Sequence, residues 1–219
     1  MIQATLGLSE DSTTVFPEVP MSYSDFSLES AESILGVSSE PMDLFPNVTP
    51  LVPPGWLVDS LARGQRHVMV GEKARSEFLV VPVLMASEEL CGGRISLYSG
   101  SRLDVNPELG LTGECDFILA AGPAVPRLPT PLVTIVEAKK NNIEEGIGQC
   151  VAQMVAAQLF NQRHNKPHKV IYGCVTTGEL WQFLRLDDQQ VGIDTKRLFI
   201  GNVGEILAVL MKIFERLDV

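Results

Sequence analysis

The sequence predicts an α/β fold with a mixed central sheet flanked by helices. Apolar residues recur at helix and strand periods in the order helix, three strands, helix, strand across residues 71–178. The long helix between the third and fourth strands has the length of a crossover connection. Those two strands should therefore be parallel neighbours, whereas the first three should form a meander.

The individual elements follow from local residue patterns. A helix is predicted over 71–90, where Pro82 should introduce a kink. A second helix over 141–165 begins with Asn and has acidic residues in its first turn. A further helix is predicted over 203–217. Apolar runs bounded by turn residues predict strands at 93–100, 113–122, 131–139, 168–178, 179–186 and 195–201.

The overall composition sets limits on the class of protein. The 219 residues are 45% hydrophobic and 20% charged, as is typical of a globular protein, and the apolar runs are too short to span a bilayer. The N-terminus lacks the basic and apolar regions of a secretory signal, so we expect a cytoplasmic protein with no membrane partner. The four cysteines have no C-x-x-C spacing, which indicates neither a zinc site nor a disulfide framework.

Charge is distributed unevenly along the chain. Residues 1–61 contain nine acids and no Lys or Arg, whereas residues 62–219 contain 17 bases and 18 acids. We therefore predict an acidic N-terminal extension over 1–61 and an α/β domain over 62–219. The extension could confer solubility, make a dimer contact or dock a partner. It could also fold over the functional site and exclude phosphate until it is displaced.

The predicted extension has a structure of its own. Residues 1–22 are polar and are interpreted as a tail. A short helix should follow, capped by Ser27 and ended by Gly36. The next segment contains five prolines and is interpreted as an extended linker, and a second short helix should begin near Trp56.

The strand at 131–139 ends in Glu-Ala-Lys. Because side chains alternate along a strand, Glu137 and Lys139 project from one face and Ala138 from the other. In the predicted meander, Asp116 approaches Glu137 from the neighbouring strand. Converging carboxylates need a proton or a cation between them, and all-oxygen ligation favours Mg²⁺ or Mn²⁺. Lys139 could then position or activate a nucleophile. The alternative is an ordinary solvated ion pair at a strand end.

These residues carry a resemblance to a known family. Asp116, followed 21 positions later by Glu137-Ala138-Lys139, resembles the signature of the PD-(D/E)XK nucleases. The predicted element order over about residues 72–176 resembles the αβββαβ core of their restriction-endonuclease-like fold. Cys115 stands where the name of the motif has proline, a position that varies widely. As a whole, the chain resembles uncharacterised nuclease-like proteins from cyanobacteria.

The resemblance implies a Mg²⁺- or Mn²⁺-dependent endo- or exonuclease. Asp116, Glu137 and the backbone carbonyl of Ala138 would bind the metal, and Lys139 would serve catalysis. The implied partner is nucleic acid, with DNA favoured, and a homodimer is implied because members often act as dimers on duplex DNA. The alternative function is a binding or regulatory protein that keeps the nuclease fold without turnover.

Two further residues match the family pattern. Glu77 corresponds to an acid found on the helix before the meander, where it would add a metal ligand, and Gln149 corresponds to a glutamine on the following helix. The residues themselves also allow simpler interpretations. Glu77 could pair with Lys73 at i, i+4 spacing, and Gln149 with Gln153 could form an ordinary polar helix face. Gly146 beside them could let a backbone or a nucleic acid approach closely.

Other candidate residues carry less weight. His164 and His168 are four positions apart, but Pro167 should break any helix that would make them a metal-binding pair. Three aromatic residues could stack on nucleic-acid bases, with core packing as the default interpretation: Trp56, Trp181 and Phe183.

Overall fold

The computed structural model describes residues 22–166 and 168–215 as an α/β fold of three layers, with a mixed sheet between helices. The helices are α1 (Leu28–Leu35), α2 (Gly55–Gly64), α3 (Glu72–Arg75), α4 (Val81–Leu90), α5 (Glu144–Arg163) and α6 (Val203–Glu215). The strands are β1 (Ser38–Met42), β2 (Ile95–Arg102), β3 (Glu114–Ala121), β4 (Leu132–Ala138), β5 (Val170–Thr176), β6 (Leu180–Asp187) and β7 (Gln190–Phe199). Within the described residues, none of these helices could cross a membrane.

The seven strands form one sheet in the order β1-β7-β6-β5-β4-β3-β2. Strands β2, β3 and β4 are an antiparallel meander, and β4 pairs in parallel with β5 across the crossover helix α5. Strand β6 pairs antiparallel with both β5 and β7. The predicted meander and the predicted parallel pair are both confirmed.

The two faces of the sheet bury separate apolar clusters. Helix α5 covers one face, with α1 packed on α5, and helices α2, α4 and α6 cover the other. Trp181 and Phe183 are fully buried on the second face. The default interpretation of these two aromatic residues as core is therefore confirmed.

Strand β1 lies in the segment that the sequence predicted to be a linker, so that prediction is wrong for Ser38–Met42. The strand pairs in parallel with β7 at the edge of the sheet, from Ser38 opposite Gln190 to Met42 opposite Asp194. An edge strand tolerates Pro41 because only one of its sides needs backbone donors. The prolines in this segment suggested a linker. Local propensity could not show that β7, about 150 residues further along the chain, provides a partner strand.

The helix predicted over 71–90 is present from Glu72 to Leu90, and a π-helical turn interrupts its regular α-helical hydrogen bonding. Helix α3 passes into a π-helical turn over Ser76–Val80, and α4 begins at Val81. Pro82 therefore occupies the first turn of α4, where its missing N–H costs least.

The described part of the acidic segment is built into the fold. Ser27 accepts a hydrogen bond from the Ser30 backbone and caps α1, and Gly36 ends the helix with a left-handed φ of 67°, as predicted. Tyr23 and Phe26 are buried against α5. The boundary predicted between residues 61 and 62 falls within α2. The tail over 1–21 and the predicted helix end at 216–217 lie outside the described residues.

We predict a large loss of stability when Asn161 is replaced by Ala. The fully buried Asn161 amide accepts from the Leu132 backbone N–H at 2.7 Å and donates to the Leu132 carbonyl at 2.8 Å, tying α5 to the start of β4. Its loss leaves two buried backbone groups unpaired, which should cost about 3 kcal/mol. Urea unfolding measures this, with the exposed neighbour substitution Gln162→Ala as the control. Equal midpoints for the two variants would contradict the prediction.

Candidate active site

Asp116 lies where the hydrogen-bond ladder between β3 and β4 ends. The last regular pair at this end is Phe117 with Val136. Beyond it, the Ala138 backbone N–H donates to Asp116 Oδ2 at 2.8 Å, so a carboxylate replaces the next backbone acceptor. The prediction that Asp116 approaches the Glu-Ala-Lys segment is thus confirmed. The Ala138 side chain points into the opposite core, as strand alternation requires.

Glu137 and Lys139 project towards α5 and form a hydrogen-bonded network with two glutamines of that helix. Lys139 Nζ donates to Glu137 Oε1 at 2.9 Å and to Gln149 Oε1 at 2.8 Å. Gln153 Nε2 donates to Glu137 Oε2 at 2.9 Å. Both glutamines are therefore held inside the site, rather than on an ordinary polar helix face. The Lys139 backbone N–H also donates to the Thr176 carbonyl at 2.8 Å, which fixes its strand end to β5.

Gly146 allows α5 to pack closely over the lysine. A Cβ at this position would lie 2.6 Å from Val175 Cγ1 and 3.0 Å from Lys139 Cγ. The space that the sequence suggested for a backbone or a nucleic acid is therefore filled by two side chains of the protein. Gly146 positions Lys139, because the absence of a Cβ lets the aliphatic part of the lysine side chain lie under the first turn of α5.

Burial and charge together shift the pKa values of the site. Burial, followed by the neighbouring Asp116 charge, raises the pKa of Glu137 to about 7, although Lys139 opposes this shift. Burial also raises the pKa of Asp116, against the stabilising Ala138 N–H. The pKa of Lys139 is raised, because the Glu137 carboxylate and then the charges of Glu72 and Asp116 outweigh the lowering effect of burial.

The Glu137 shift predicts how stability depends on pH. A carboxyl group whose pKa is raised from 4.5 to about 7 binds its proton more tightly in the folded state. The stabilisation is full below pH 4.5 and is lost as pH rises through 7, by a few kcal/mol in order of magnitude. Glu137→Gln should flatten this loss. Urea unfolding between pH 5 and pH 8 in metal-free buffer measures it, and an unchanged slope in the variant would contradict the assignment.

Glu77 and Glu72 face the groove in front of Asp116. The groove has a volume of about 390 Å³ and is lined by both glutamates together with Lys73. Glu77 is half exposed and lies 3.8 Å from Lys73, so the ion pair that the sequence offered as an alternative is present. Glu72 acts electrostatically on both Asp116 and Lys139.

Glu72 is therefore the helix acid that sequence reasoning missed. Glu72 and Ser76 are four residues apart, as are Lys73 and Glu77, so all four line the groove from neighbouring turns of the helix. The signal in the sequence was only a second acid at the start of the helix.

The remaining candidates lie elsewhere. Helix α5 ends at Arg163, so His164 and His168 do not share a helix, while Pro167 itself lies outside the described residues. Trp56 is 39% exposed and its indole donates to Glu89 at 2.8 Å, on the other side of the sheet from α5. The four cysteines are buried and unbridged, and no disulfide was predicted.

Comparison with known proteins gives no family for this chain. No protein-family model matches it, and no curated protein is significantly similar to it. What the site can do therefore has to be argued from its own residues.

Asp116 and Glu137 have the chemistry to hold a divalent cation. Each carboxylate offers about four lone-pair positions, of which the hydrogen bonds above use one at Asp116 and two at Glu137. In the described parts of the chain, no three His, Cys, Asp or Glu side chains are grouped as a metal site. Two carboxylates suffice for Mg²⁺, which commonly keeps waters and a substrate phosphate as its other ligands. The pair therefore fits this ion.

Proposed function

We propose that the protein is a Mg²⁺- or Mn²⁺-dependent nuclease of the PD-(D/E)XK superfamily, with a restriction-endonuclease-like core formed by α4, β2, β3, β4, α5 and β5. One observation carries the proposal. An acid on β3 and a Glu-Ala-Lys segment ending β4 meet at a single point, where Asp116 bonds the Ala138 N–H and Lys139 bonds Glu137. Two carboxylates can hold a divalent cation, and an ammonium beside them can stabilise the charge that develops during phosphodiester hydrolysis.

The mechanism assigns a separate task to each residue. Asp116 and Glu137 would bind the ion, with the Ala138 carbonyl as a further ligand. A bound Mg²⁺ or Mn²⁺ supplies Lewis-acid chemistry, polarising the phosphodiester and lowering the pKa of coordinated water. Gln153 holds Glu137 Oε2 and so fixes the orientation of that carboxylate. Gln149 orients the ammonium of Lys139.

Lys139 acts as a cation rather than as a base. Its pKa is raised, so the ammonium stays protonated at neutral pH. Two of its three donors are used by Glu137 and Gln149, which leaves one for a phosphate oxygen or for the attacking water. The retained charge would stabilise the negative charge that develops at phosphorus in the transition state.

A binding protein without turnover is the second candidate function. The groove in front of Asp116 carries three further acids, Glu72, Glu77 and Glu114, against the single base Lys73. An acidic groove disfavours direct phosphate contact, which normally dominates affinity for nucleic acid. Bound divalent cations would offset this charge. The dependence on metal therefore distinguishes the two candidates.

Calorimetric titration with Mg²⁺ and with Mn²⁺ tests the proposed function. The wild type should bind the ion, and Asp116→Asn with Glu137→Gln should abolish binding while preserving the size of both side chains. Metal-dependent cleavage of labelled DNA and RNA by the wild type, lost in the same double variant, would complete the test. Metal binding by the wild type without cleavage of DNA or RNA would favour the second candidate.

The predicted homodimer remains a prediction. Sedimentation of the free protein and of its complex with DNA measures the number of protein chains directly. We expect the protein mass to double when the protein binds duplex DNA.

A further inference from the structure

An exposed apolar pair lies at the same end of the sheet as the candidate site. Leu180 begins β6 and Phe199 ends β7, and the two residues are directly opposite one another. Leu180 is 37% exposed and Phe199 is 52% exposed. The Phe199 ring lies against Gly201, where a Cβ would come within 2.7 Å of Cε1. The backbone thus supports one side of the ring and leaves much of it open to solvent.

The pair projects from the same face of the sheet as Glu137. Leu184 and Leu186 pack in the cluster under α5, and alternation along β6 places Leu180 on that face too. Phe199 shares the face as the cross-strand partner of Leu180. Strand β7 is three positions from β4 in the sheet, so Phe199 lies about 14 Å to the side of Glu137 at a strand spacing of about 4.8 Å.

Arg197 lies beside the apolar pair, and its guanidinium reaches the first turn of α5. It is two residues before Phe199 on β7 and therefore lies on the same face. Arg197 Nε donates to Gln182 Oε1 at 3.1 Å, and its Nη2 donates to Glu144 Oε1 at 2.5 Å, at the first turn of α5. These bonds orient the guanidinium, which is 41% exposed and has further N–H donors to offer to a phosphate.

We propose that Phe199, supported by Leu180, is a stacking platform for an unpaired base of a single-stranded nucleic acid, with Arg197 contacting the backbone next to that base. This inference rests on the proposed nuclease function and adds the class of substrate. The strand would run along the end of the sheet, from Phe199 past Arg197 and the start of α5 to Lys139. A base stacked on Phe199 and a phosphodiester held in the candidate site beside Lys139 then belong to one short stretch of the nucleic acid.

Stacking on an aromatic ring requires an open base face. In a duplex the neighbouring base pairs cover both faces, whereas a single strand or a frayed end exposes them. Stacking also supplies affinity without adding positive charge, which suits a site surrounded by acids. The platform therefore favours single-stranded over duplex substrates. This agrees with the small number of Lys and Arg side chains near the site.

Fluorescence anisotropy with a labelled oligothymidylate and an abasic oligomer of the same length tests the platform. The wild type should bind the oligothymidylate more tightly. Phe199→Ala should weaken this binding about 10-fold and leave the abasic oligomer unaffected, and Phe199→Trp should restore the difference. Trp56→Ala removes an exposed aromatic residue away from the site and serves as the matched control. Arg197→Gln should weaken both probes and reduce the salt dependence of binding.

The outcomes separate this inference from the proposed function. If Phe199→Ala loses affinity equally for both probes, or loses affinity for neither, the platform is overturned. If the wild type still cleaves DNA or RNA in that case, the nuclease function stands without it. If the wild type neither binds the probes nor shows metal-dependent cleavage, both proposals fail. A change from dimer to monomer in Phe199→Ala, with unchanged preference for bases, would identify the patch as a protein interface and also overturn the platform.

Discussion

Lys139→Ala is expected to reduce the proposed phosphodiester hydrolysis by about 10²- to 10³-fold, the effect of removing one preorganised stabiliser of transition-state charge. The substitution removes the ammonium held between Glu137 and Gln149 while leaving Asp116 and Glu137 in place. Metal binding should therefore persist. The loss should appear in kcat rather than in KM if the ammonium acts mainly in the transition state.

Two companion variants make this prediction specific. Lys140→Ala removes the exposed neighbouring lysine and should leave cleavage nearly unchanged. Lys139→Arg should not restore activity, because Gly146 and Val175 enclose the lysine stem closely and a planar guanidinium does not fit the same space. Full activity in Lys139→Ala, with metal binding intact, would remove this residue from the mechanism.

Gly148→Ala is expected to cause a large loss of stability, about 3 kcal/mol, at the upper end of the usual cost of overpacking. A Cβ at Gly148 would overlap the carbonyl carbon of Ser27 and lie 2.5 Å from the Leu28 nitrogen. Both are backbone atoms at the start of α1, so no side chain can rotate away. The gain in helix propensity from Gly to Ala, about 1 kcal/mol, is too small to compensate.

Urea unfolding of Gly148→Ala and Gly55→Ala measures the effect. Gly55 starts α2, and a Cβ added there would have no other atom within 4 Å, so Ala should be neutral or stabilising. Protease digestion adds a second measure, since separation of α1 from α5 should expose residues 22–36 to cleavage. Equal stability of the two variants would show that the Ser27–Leu28 backbone can move away from α5 at little cost.

The described acidic segment changes how the N-terminal hypothesis can be tested. Residues 22–45 supply buried side chains to both cores, including Phe26 and Phe45, and strand β1 completes the sheet. Deletion of residues 1–61 would therefore remove part of the core as well as nine acids. Charge-neutralising substitutions at exposed acids, such as Glu29→Gln, are the appropriate test of electrostatic exclusion.

Sequence periodicity determined most of the secondary structure. The meander, the crossover helix and the strand that follows it were all predictable, because side-chain alternation and helical repeats are local properties. Strand alternation also singled out Glu137 and Lys139, and the predicted meander brought Asp116 towards them. Gln149 was singled out by the resemblance to the PD-(D/E)XK nucleases. Helix α1 and its caps at Ser27 and Gly36 were likewise encoded within a few residues.

Only the tertiary structure decided the features that depend on distant partners. Strand β1 forms because β7 offers an open edge, a pairing across about 150 residues that local propensity could not reveal. Glu72 lies near Asp116 because α3 and β3 line the same groove, and Gln153 becomes an orienter because the register of α5 over β4 brings it to Glu137. Phe199 stays exposed while Trp181 is buried, because the layer of helices covers only one of those positions. The sequence by itself determined which residues could carry the chemistry, and long-range packing decided which of them meet.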